Sequence, residues 1–387
     1  MTPTEEAKKV APIAGTHVIT FVDANGKTVE LAPHEAEKFD VAPLGFVDLV
    51  RAAESKNPSI DVVIENAQAA TSETGLELEG PLTATLGLGN NGPVVAYGLV
   101  EGGWLPMPWA HKRIAWVDRN VVLNLEKLKV VDDDALRPGD RGWLTRWLGL
   151  DVEEVSPILF VLEGAKRKPP TDFEMRAELT RATKVLRAAL PGAKVQSVDS
   201  AQRRALHRMT LDYAVSRSRA MRLLVRAAPL VVNSVKPDGR LALEEQILEL
   251  ARQENVTPTN LAVLALLSCV YDANPALSTH RAAQPGRAVL KPKGDYDLED
   301  AYNAMADLYF VELMVNAQAA FPHMKQVLYT GDVGIASFWT ALQPMSTETV
   351  NLPLGRMRTT ARFNLGAHLF PALSEGDVIA LQHRLGQ

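Results

Sequence analysis

The sequence predicts an α/β fold, in which helices flank a parallel sheet and a smaller β-rich domain precedes it. Three observations lead to this prediction. The first hundred or so residues contain runs that alternate as half-buried strands do, and their turn signals are Asn-Gly pairs. From Ile114 onwards, short apolar strand-like runs are separated by helical segments. Strands in that order need crossover connections, so we expect them to lie parallel.

Length and composition set limits on the class of protein. A chain of 387 residues is long enough for about two domains, and its net charge of -5 indicates no partner class. Cys269 is the only cysteine, so no disulfide can form within the chain, and we expect a reducing compartment, the cytoplasm. No signal peptide or membrane-spanning run is recognisable, so no membrane association is expected.

The first domain is expected to span residues 1–110 and to be rich in strands. The segment THVITFVDANGKTVEL contains two strand-like runs around Asn25-Gly26, which is a hairpin signal. The pattern of Ile60–Ala70 is more helical or mixed, and WLPMPW at Trp104–Trp109 is typical of a linker stiffened by proline. No motif assigns a role to this domain, which is a candidate surface for a protein partner.

Gly87, Gly89 and Gly92 have the GxGxxG spacing of a dinucleotide-binding loop. Such a loop must open a helix, so that the helix N-terminus meets the pyrophosphate. Here Pro93 and the strand-like VVAYGLV follow. We therefore predict a tight hairpin turn at Asn91-Gly92 and no dinucleotide cofactor.

The second domain is expected to span residues 111–345 and to contain the parallel sheet. Buried strands are predicted at Ile114–Asp118 and Val327–Thr330, each followed by a helix. Ser156 before Pro157 predicts the start of the helix that carries ILFVLEG, because serine caps helices and proline fits their first position.

Residues 172–290 are treated as a large insertion, and residues 346–387 as a C-terminal appendage. The insertion is nearly all helical in pattern as far as about Ala273, and the segment QPGRAVLKPKGDY is predicted to be a loop rich in proline, glycine and lysine. The insertion is rich in arginine over two neighbouring helical segments: Arg203, Arg204, Arg208, Arg217, Arg219, Arg222 and Arg226. Such a cluster could follow a phosphate backbone, and a solvated helical face is the alternative. Tyr213 is the only aromatic residue in these segments, so base stacking is not supported.

Two acids directly follow predicted strands, Asp118 after IAWV and Asp332 after VLYTG. In open α/β sheets, ligands bind at the carboxyl ends of the strands. Carboxylates at buried strand ends repel each other unless a cation neutralises them, and Mg²⁺ prefers oxygen ligands of this kind. Taken singly, either aspartate also fits the N-cap of the next helix, which is the commoner role.

Two further acids are candidates because of their surroundings. Glu163 ends the apolar run SPILFVLE, where it is either a buried acid with a partner or the water-facing end of an amphipathic helix. Asp307 shares one face of a predicted helix with Asn303, beside an apolar stripe. This spacing aims Asp307 at the edge of the core, with a solvated acid as the alternative.

Taken in order, the segments around these acids resemble the PIN-like nuclease fold: IAWVDRNVV at Asp118, SPILFVLEG at Glu163, AYNAMADL at Asp307 and VLYTGDVGIASFW at Asp332. The last segment is the most specific, with Thr330 two residues before the aspartate. The resemblance covers residues 112–342 and implies a PIN-like parallel sheet, in which separated acids converge on one or two divalent ions. The helical insertion is much longer than a minimal domain of this family needs.

The resemblance implies metal-assisted hydrolysis of phosphodiester bonds, with Mg²⁺ or Mn²⁺ as cofactor and RNA rather than DNA as substrate. It implies metal ligands at Asp118, Glu163, Asp307 and Asp332. Thr330 and Asn120 would position a water or a carboxylate. Two alternatives stay open: a PIN-like binding or regulatory protein without the reaction, and a phosphatase-type metal hydrolase. A toxin of a toxin–antitoxin pair, an antiviral defence protein and an RNA-processing enzyme would share these features.

Overall fold

The computed structural model of the chain describes residues 18–22, 28–31, 41–55, 59–64, 82–87, 96–110, 113–130, 148, 152–164, 168–272, 280–320, 323–342, 344–352, 356–363 and 365–386. The chain divides into two compact units. The first comprises Met1–Ala42 and Arg51–Val94, and the second comprises Pro43–Val50 and Val95–Gln387. The expected domain boundary at residue 110 therefore lies inside the second unit.

The first unit contains a four-stranded antiparallel sheet in the order β2-β1-β4-β3, built from β1 (Val18–Val22), β2 (Thr28–Leu31), β3 (Ser59–Ile64) and β4 (Leu82–Gly87). The predicted pairing of the first two strands is confirmed, and the Asn25-Gly26 turn between them lies outside the described residues. The segment predicted as helical or mixed from Ile60 is a strand as far as Ile64. Ile60 and Val62 are fully buried and alternate with exposed neighbours, which is the period of a strand.

The second unit contains a mixed six-stranded sheet in the order β6-β5-β10-β7-β8-β9. Its strands are β5 (Tyr97–Val100), β6 (Gly103–Leu105), β7 (Ile114–Val117), β8 (Glu154–Ser156), β9 (Lys194–Val195) and β10 (Gln326–Thr330). The last four strands in that series run parallel, which confirms the predicted crossover connections. β5 pairs antiparallel with β10, and β6 in turn pairs antiparallel with β5, so these two strands extend the sheet beyond β10.

The strand order of this sheet has a reversal between β7 and β10. From β7 the chain proceeds outward to β8 and β9, and it then returns to place β10 on the other side of β7. In doubly wound sheets, ligands bind at such a point, outside the carboxyl ends of the two adjoining strands. These ends are Val117 and Thr330, so Asp118 and Asp332 lie beside the reversal.

The described residues include the helices α1 (Phe46–Glu54), α2 (Met107–Ala110), α3 (Arg119–Val130), α4 (Ile158–Glu163), α5 (Asp172–Ala189), α6 (Ser200–Ala227), α7 (Arg240–Gln253), α8 (Leu261–Val270), α9 (Pro285–Leu290), α10 (Leu298–Ala320), α11 (Val333–Leu342) and α12 (Glu375–Arg384), and the hairpin strands β11 (Pro344–Leu352) and β12 (Arg356–Phe363). Every residue of α8 is buried, including the free Cys269, as its apolar run predicts. None of the described helices is both long and apolar enough to cross a bilayer.

Two predictions near the start of the second unit are wrong. The segment Trp104–Trp109 is not a linker, because Trp104 lies in β6, is fully buried and packs edge-on against Tyr97. Its Nε1–H donates to the Gly45 carbonyl at 3.2 Å. The strands on either side of Asn91-Gly92 do not form a hairpin, since β4 and β5 belong to different sheets; the turn itself lies outside the described residues.

The predicted start of α4 is also wrong. Ser156 is the last residue of β8, opposite Trp116, and Pro157 occupies the N-cap position without a side-chain cap. Pairing in the sheet therefore outweighs the local capping preference of serine. Thr171 caps α5, with a complete capping box that includes Glu174.

The regions treated as an insertion and an appendage both contact the rest of the unit. Residues 172–290 include β9, which pairs parallel with β8, so the first part of this region belongs to the sheet. Residues 346–387 include most of the β11–β12 hairpin and α12. Arg384 in α12 donates two hydrogen bonds to the buried Glu244 of α7.

Candidate active site

Two aspartates lie at the strand ends beside the reversal. Asp118 is 7% exposed, and its Oδ1 accepts a hydrogen bond from the Val121 N–H at 2.8 Å. Asp332 Oδ1 accepts one from the Gly334 N–H at 2.6 Å. The buried Thr330 hydroxyl accepts a hydrogen bond from the Asp332 N–H at 3.0 Å. Both aspartates therefore cap the helices that follow them, and the caps hold their carboxylates at the edge of the sheet.

Glu163 is the last residue of α4 and is partly buried. Its Oε2 accepts a hydrogen bond from the Arg119 N–H at 3.2 Å, so it lies at the same helix N-terminus as Asp118. Burial, followed by the charge of Asp118, raises the pKa of Glu163 from 4.5 to about 7. The Arg119 hydrogen bond and the charges of Arg119 and Arg217 oppose this rise. Of the two interpretations from the sequence, the buried acid with a partner is the one observed.

Asp307 lies on α10 between the buried residues Ala306 and Leu308 and is itself partly buried. Burial, followed by the charge of Asp332, raises the pKa of Asp307 well above its ordinary value of 3.8. The positive charge of Lys291 opposes this rise. The remaining contributions come from Glu163 and Asp118, which both raise this pKa.

These contributions mean that Asp118, Glu163 and Asp332 all lie within electrostatic range of Asp307, and that Asp118 lies within range of Glu163; we call these four residues the acid cluster. Asn120, the remaining residue predicted for the site, is exposed in the first turn of α3. In the part of the chain that the structure describes, no hydrogen bond joins its side chain to the acid cluster. Desolvated carboxylates that repel each other favour protonation or a neutralising cation.

Sequence reasoning did not identify two cations that reach the acid cluster. The guanidinium of Arg119 binds Glu178 at 3.0 Å and lies 4.7 Å from the centre of the Phe160 ring. The ammonium of Lys291 lies 2.9 Å from Asp332 Oδ2. Arg119 directly follows the predicted Asp118, which is a signal that could have found it. Lys291 follows α9, a helix that was predicted to be a loop because prolines and glycines surround it.

Arg217 was noted in the sequence as one of a cluster on the insertion, but not as a neighbour of the acids. It is 6% exposed, its Nη2 donates to the Tyr302 carbonyl at 3.2 Å, and its guanidinium lies 3.9 Å from the centre of the Tyr302 ring. The Tyr302 hydroxyl in turn donates to the Glu163 carbonyl at 2.7 Å. The helix α6 thus supplies a buried positive charge to the surroundings of Glu163.

The chemistry of the acid cluster fits a hard divalent cation, since carboxylate oxygens are the ligands that Mg²⁺ and Mn²⁺ prefer. Among the residues that the structure describes, however, no three acid, histidine or cysteine side chains are arranged to hold one metal ion. Asp332 Oδ2 instead accepts the Lys291 ammonium. Shared coordination therefore requires the acids to move closer and Asp332 to exchange that ammonium for the ion.

The predicted arginine cluster lies on one helix, α6, rather than on two segments. Arg203 binds Asp172 through two hydrogen bonds, and both Arg222 and Arg226 bind Glu254. These ion pairs connect α6 to α5 and to the end of α7. Much of the cluster therefore stabilises helix packing, which favours the alternative of a structural, solvated face over a continuous phosphate track.

Comparisons of this chain with family models, with curated proteins and with solved structures gave no match. The assignment of a function therefore depends on the geometry of the acid cluster and on the chemistry of its residues.

Proposed function

We propose that this chain is a metal-dependent nuclease that hydrolyses phosphodiester bonds in RNA, with Mg²⁺ or Mn²⁺ bound by the acid cluster. The observation that carries the proposal is the convergence of acids from distant segments, since Asp332, Glu163 and Asp118 all act on the pKa of Asp307. Carboxylates at the carboxyl ends of two adjoining strands, together with the raised pKa of the neighbouring Glu163 and Asp307, mark a ligand site in this class of sheet. A PIN-like arrangement of the domain is part of the same proposal.

The residues of the acid cluster and Thr330 have different roles in the proposed hydrolysis. A divalent ion held by the acid cluster would supply an activated water and would withdraw charge from the phosphate. Asp118 and Asp332 keep fixed positions through their helix caps, and Thr330 holds the turn that carries Asp332. Glu163, with a pKa of about 7, is partly ionised near neutral pH and can accept or return a proton there. Asp307 contributes a carboxyl from α10, which is distant in the sequence from Asp118 and Glu163.

The test replaces Asp118 or Asp332 with asparagine. Asparagine keeps an Oδ1 acceptor for the helix cap and is an equally good N-cap, so the fold should survive while the charge is lost. We expect Asp118→Asn and Asp332→Asn to weaken Mn²⁺ binding, measured by isothermal titration calorimetry, by about tenfold or more and to abolish cleavage of labelled RNA. Unchanged binding and cleavage in both variants would refute the proposal.

A matched control is available at Asp199, which caps α6 by accepting hydrogen bonds from the Ala201 N–H at 2.7 Å and the Gln202 N–H at 2.8 Å. Its carboxylate serves a helix N-terminus as those of Asp118 and Asp332 do, but it is not part of the acid cluster. Asp199→Asn should therefore leave Mn²⁺ binding and RNA cleavage unchanged. A loss in this variant as well would show that the effect comes from capping.

The second candidate is a PIN-like binding or regulatory protein without the reaction. The observation that favours it is the ion pair between Lys291 and Asp332 at 2.9 Å, together with the spacing of the acids within the described part of the chain. RNA binding without uptake of Mn²⁺ would support this candidate over the nuclease.

Three substrates separate the remaining possibilities: a labelled RNA strand, a DNA strand of the same sequence and a generic phosphomonoester. Cleavage of RNA supports the proposal, whereas hydrolysis of the monoester alone supports a phosphatase-type metal hydrolase. Preference for DNA over RNA would change the proposed substrate to DNA and would still support metal-dependent hydrolysis of phosphodiester bonds. A protein partner for the first unit stays a prediction.

A further inference from the structure

Lys291 has an unusual backbone conformation for a lysine. It follows the last residue of α9 with φ of 52° and ψ of 52°, in the left-handed region. Glycine is the usual residue at this position, because a Cβ atom is unfavourable there. Among the described non-glycine residues, the only other one with positive φ is Asn255, and asparagine tolerates this conformation better than lysine does. A strained backbone retained at the rim of a candidate site points to a role for the side chain.

The side chain of Lys291 connects solvent to the acid cluster. Its Nζ lies 2.9 Å from Asp332 Oδ2, and the Lys291 side chain is 48% exposed. Asp332 keeps its other oxygen on the Gly334 N–H, so the ammonium is not needed to hold the helix cap. The ammonium can therefore turn from Asp332 towards a ligand without disturbing α11.

The other two cations near the acid cluster are less available. Arg119 is held by Glu178 and by stacking on Phe160, with a side chain only 13% exposed. Arg217 is buried against Tyr302. The ionised carboxylates of the acid cluster repel the phosphates of a nucleic acid, so a substrate of this charge needs a reachable positive group at the rim. Lys291 is the one of these three cations that a strand can contact.

We propose that Lys291 is a substrate-binding residue, whose ammonium contacts a phosphate oxygen of the RNA strand and pairs with Asp332 when no strand is bound. This inference rests on the proposed function and names a residue that the sequence motifs do not include. The structural alternative is a surface ion pair that supports the end of α9 and contacts no ligand.

Binding of a fluorescent single-stranded oligoribonucleotide tests the contact, measured by anisotropy over a range of salt concentrations with Ca²⁺ as the divalent ion. We expect Lys291→Met to weaken binding by about fivefold or more and to reduce the slope of log Kd against log salt by about one, as the loss of one phosphate contact does. Lys291→Arg should restore most of the affinity and the slope. Mn²⁺ binding, measured by calorimetry, should be unchanged or tighter, because the competing ammonium is gone.

Lys291→Gly separates the backbone from the side chain. Glycine relieves the left-handed strain, so the melting temperature should rise, while RNA binding falls as in Lys291→Met. The matched control is Asn255→Gly, which changes the other left-handed residue and should leave RNA binding intact.

Wild-type affinity and salt slope in Lys291→Met would overturn the inference, as would failure of the wild-type chain to bind RNA. RNA binding with Ca²⁺ but no RNA cleavage with Mg²⁺ or Mn²⁺ gives a different result. It refutes hydrolysis by the wild-type chain, whereas the Lys291 contact is still decided by the salt slope of its variants.

Discussion

Glutamine in place of Glu163 keeps the size of the side chain and an acceptor for the Arg119 N–H, but it removes the ionisable group. In the folded chain the pKa of Glu163 is about 7, against an ordinary value of 4.5 that we take for the unfolded chain. Below pH 4.5 the carboxyl is protonated in both states and adds no difference. As the pH rises towards 7, the unfolded chain loses the proton while the folded chain keeps it. Rising pH therefore destabilises the wild-type fold through this group.

The size of the effect follows from the two pKa values. Each tenfold change in proton affinity corresponds to about 1.4 kcal/mol, so the full penalty above pH 7 is roughly 3 kcal/mol of unfolding free energy. The glutamine variant lacks this penalty. We expect the free energy of unfolding of Glu163→Gln to follow that of the wild type at acidic pH. By about pH 8, the free energy of unfolding of the variant should have risen by roughly 3 kcal/mol relative to the wild type.

The assay is urea unfolding in EDTA at acidic and alkaline pH, followed by the fluorescence of the buried Trp104 and Trp339. The control is Glu245→Gln, at an exposed glutamate on α7, which should show no pH-dependent difference from the wild type. In an Asp118→Asn background the gain should shrink, because the Asp118 charge contributes to the raised pKa of Glu163. A difference between Glu163→Gln and wild type that is the same at both pH values would refute the reasoning.

Three further substitutions test the packing of the second unit. Arg384→Met should lower the free energy of unfolding, measured with urea, by about 3 kcal/mol, because the fully buried Glu244 loses its charged partner. A decrease of less than about 1 kcal/mol would contradict this prediction. Thr171→Ala should cost about 1 kcal/mol by removing the cap of α5, whereas Thr171→Ser should be neutral in the same experiment. Gly286→Ala should lower the free energy of unfolding, measured by thermal unfolding, by about 2 kcal/mol, since the added Cβ would lie 2.4 Å from the Ala265 carbonyl oxygen. An unchanged melting temperature would show that α8 and α9 separate easily.

The parts of the fold that the sequence predicts are those governed by local patterns. The runs ending at Val117 and Thr330 are short and apolar, which predicts strands from the local pattern alone, and both are strands of the central sheet. The Thr171 capping box is equally local. Because the acids at the strand ends follow from these elements, the approximate positions of Asp118 and Asp332 could also be predicted.

The remaining features depend on contacts between distant segments. β9 has only two residues, too few for any periodic pattern, and it exists because β8 offers a pairing edge. Ser156 has the local pattern of a helix cap but is taken into β8 by its pairing with Trp116. Lys291 looks like an ordinary loop lysine, since neither its backbone strain nor its distance from Asp332 is encoded within its own segment.

Capping and cation binding are compatible roles for one aspartate, and Asp332 demonstrates this. Its Oδ1 accepts the Gly334 N–H at 2.6 Å and positions the carboxylate, while its Oδ2 accepts a cation, the Lys291 ammonium, at 2.9 Å. Serine or asparagine would serve the cap alone, because neither carries a second negatively charged oxygen. The role that requires a carboxylate is therefore the one performed by Oδ2. Asparagine at this position separates the two roles, so any loss of Mn²⁺ binding in Asp332→Asn can be assigned to the charge and not to the helix.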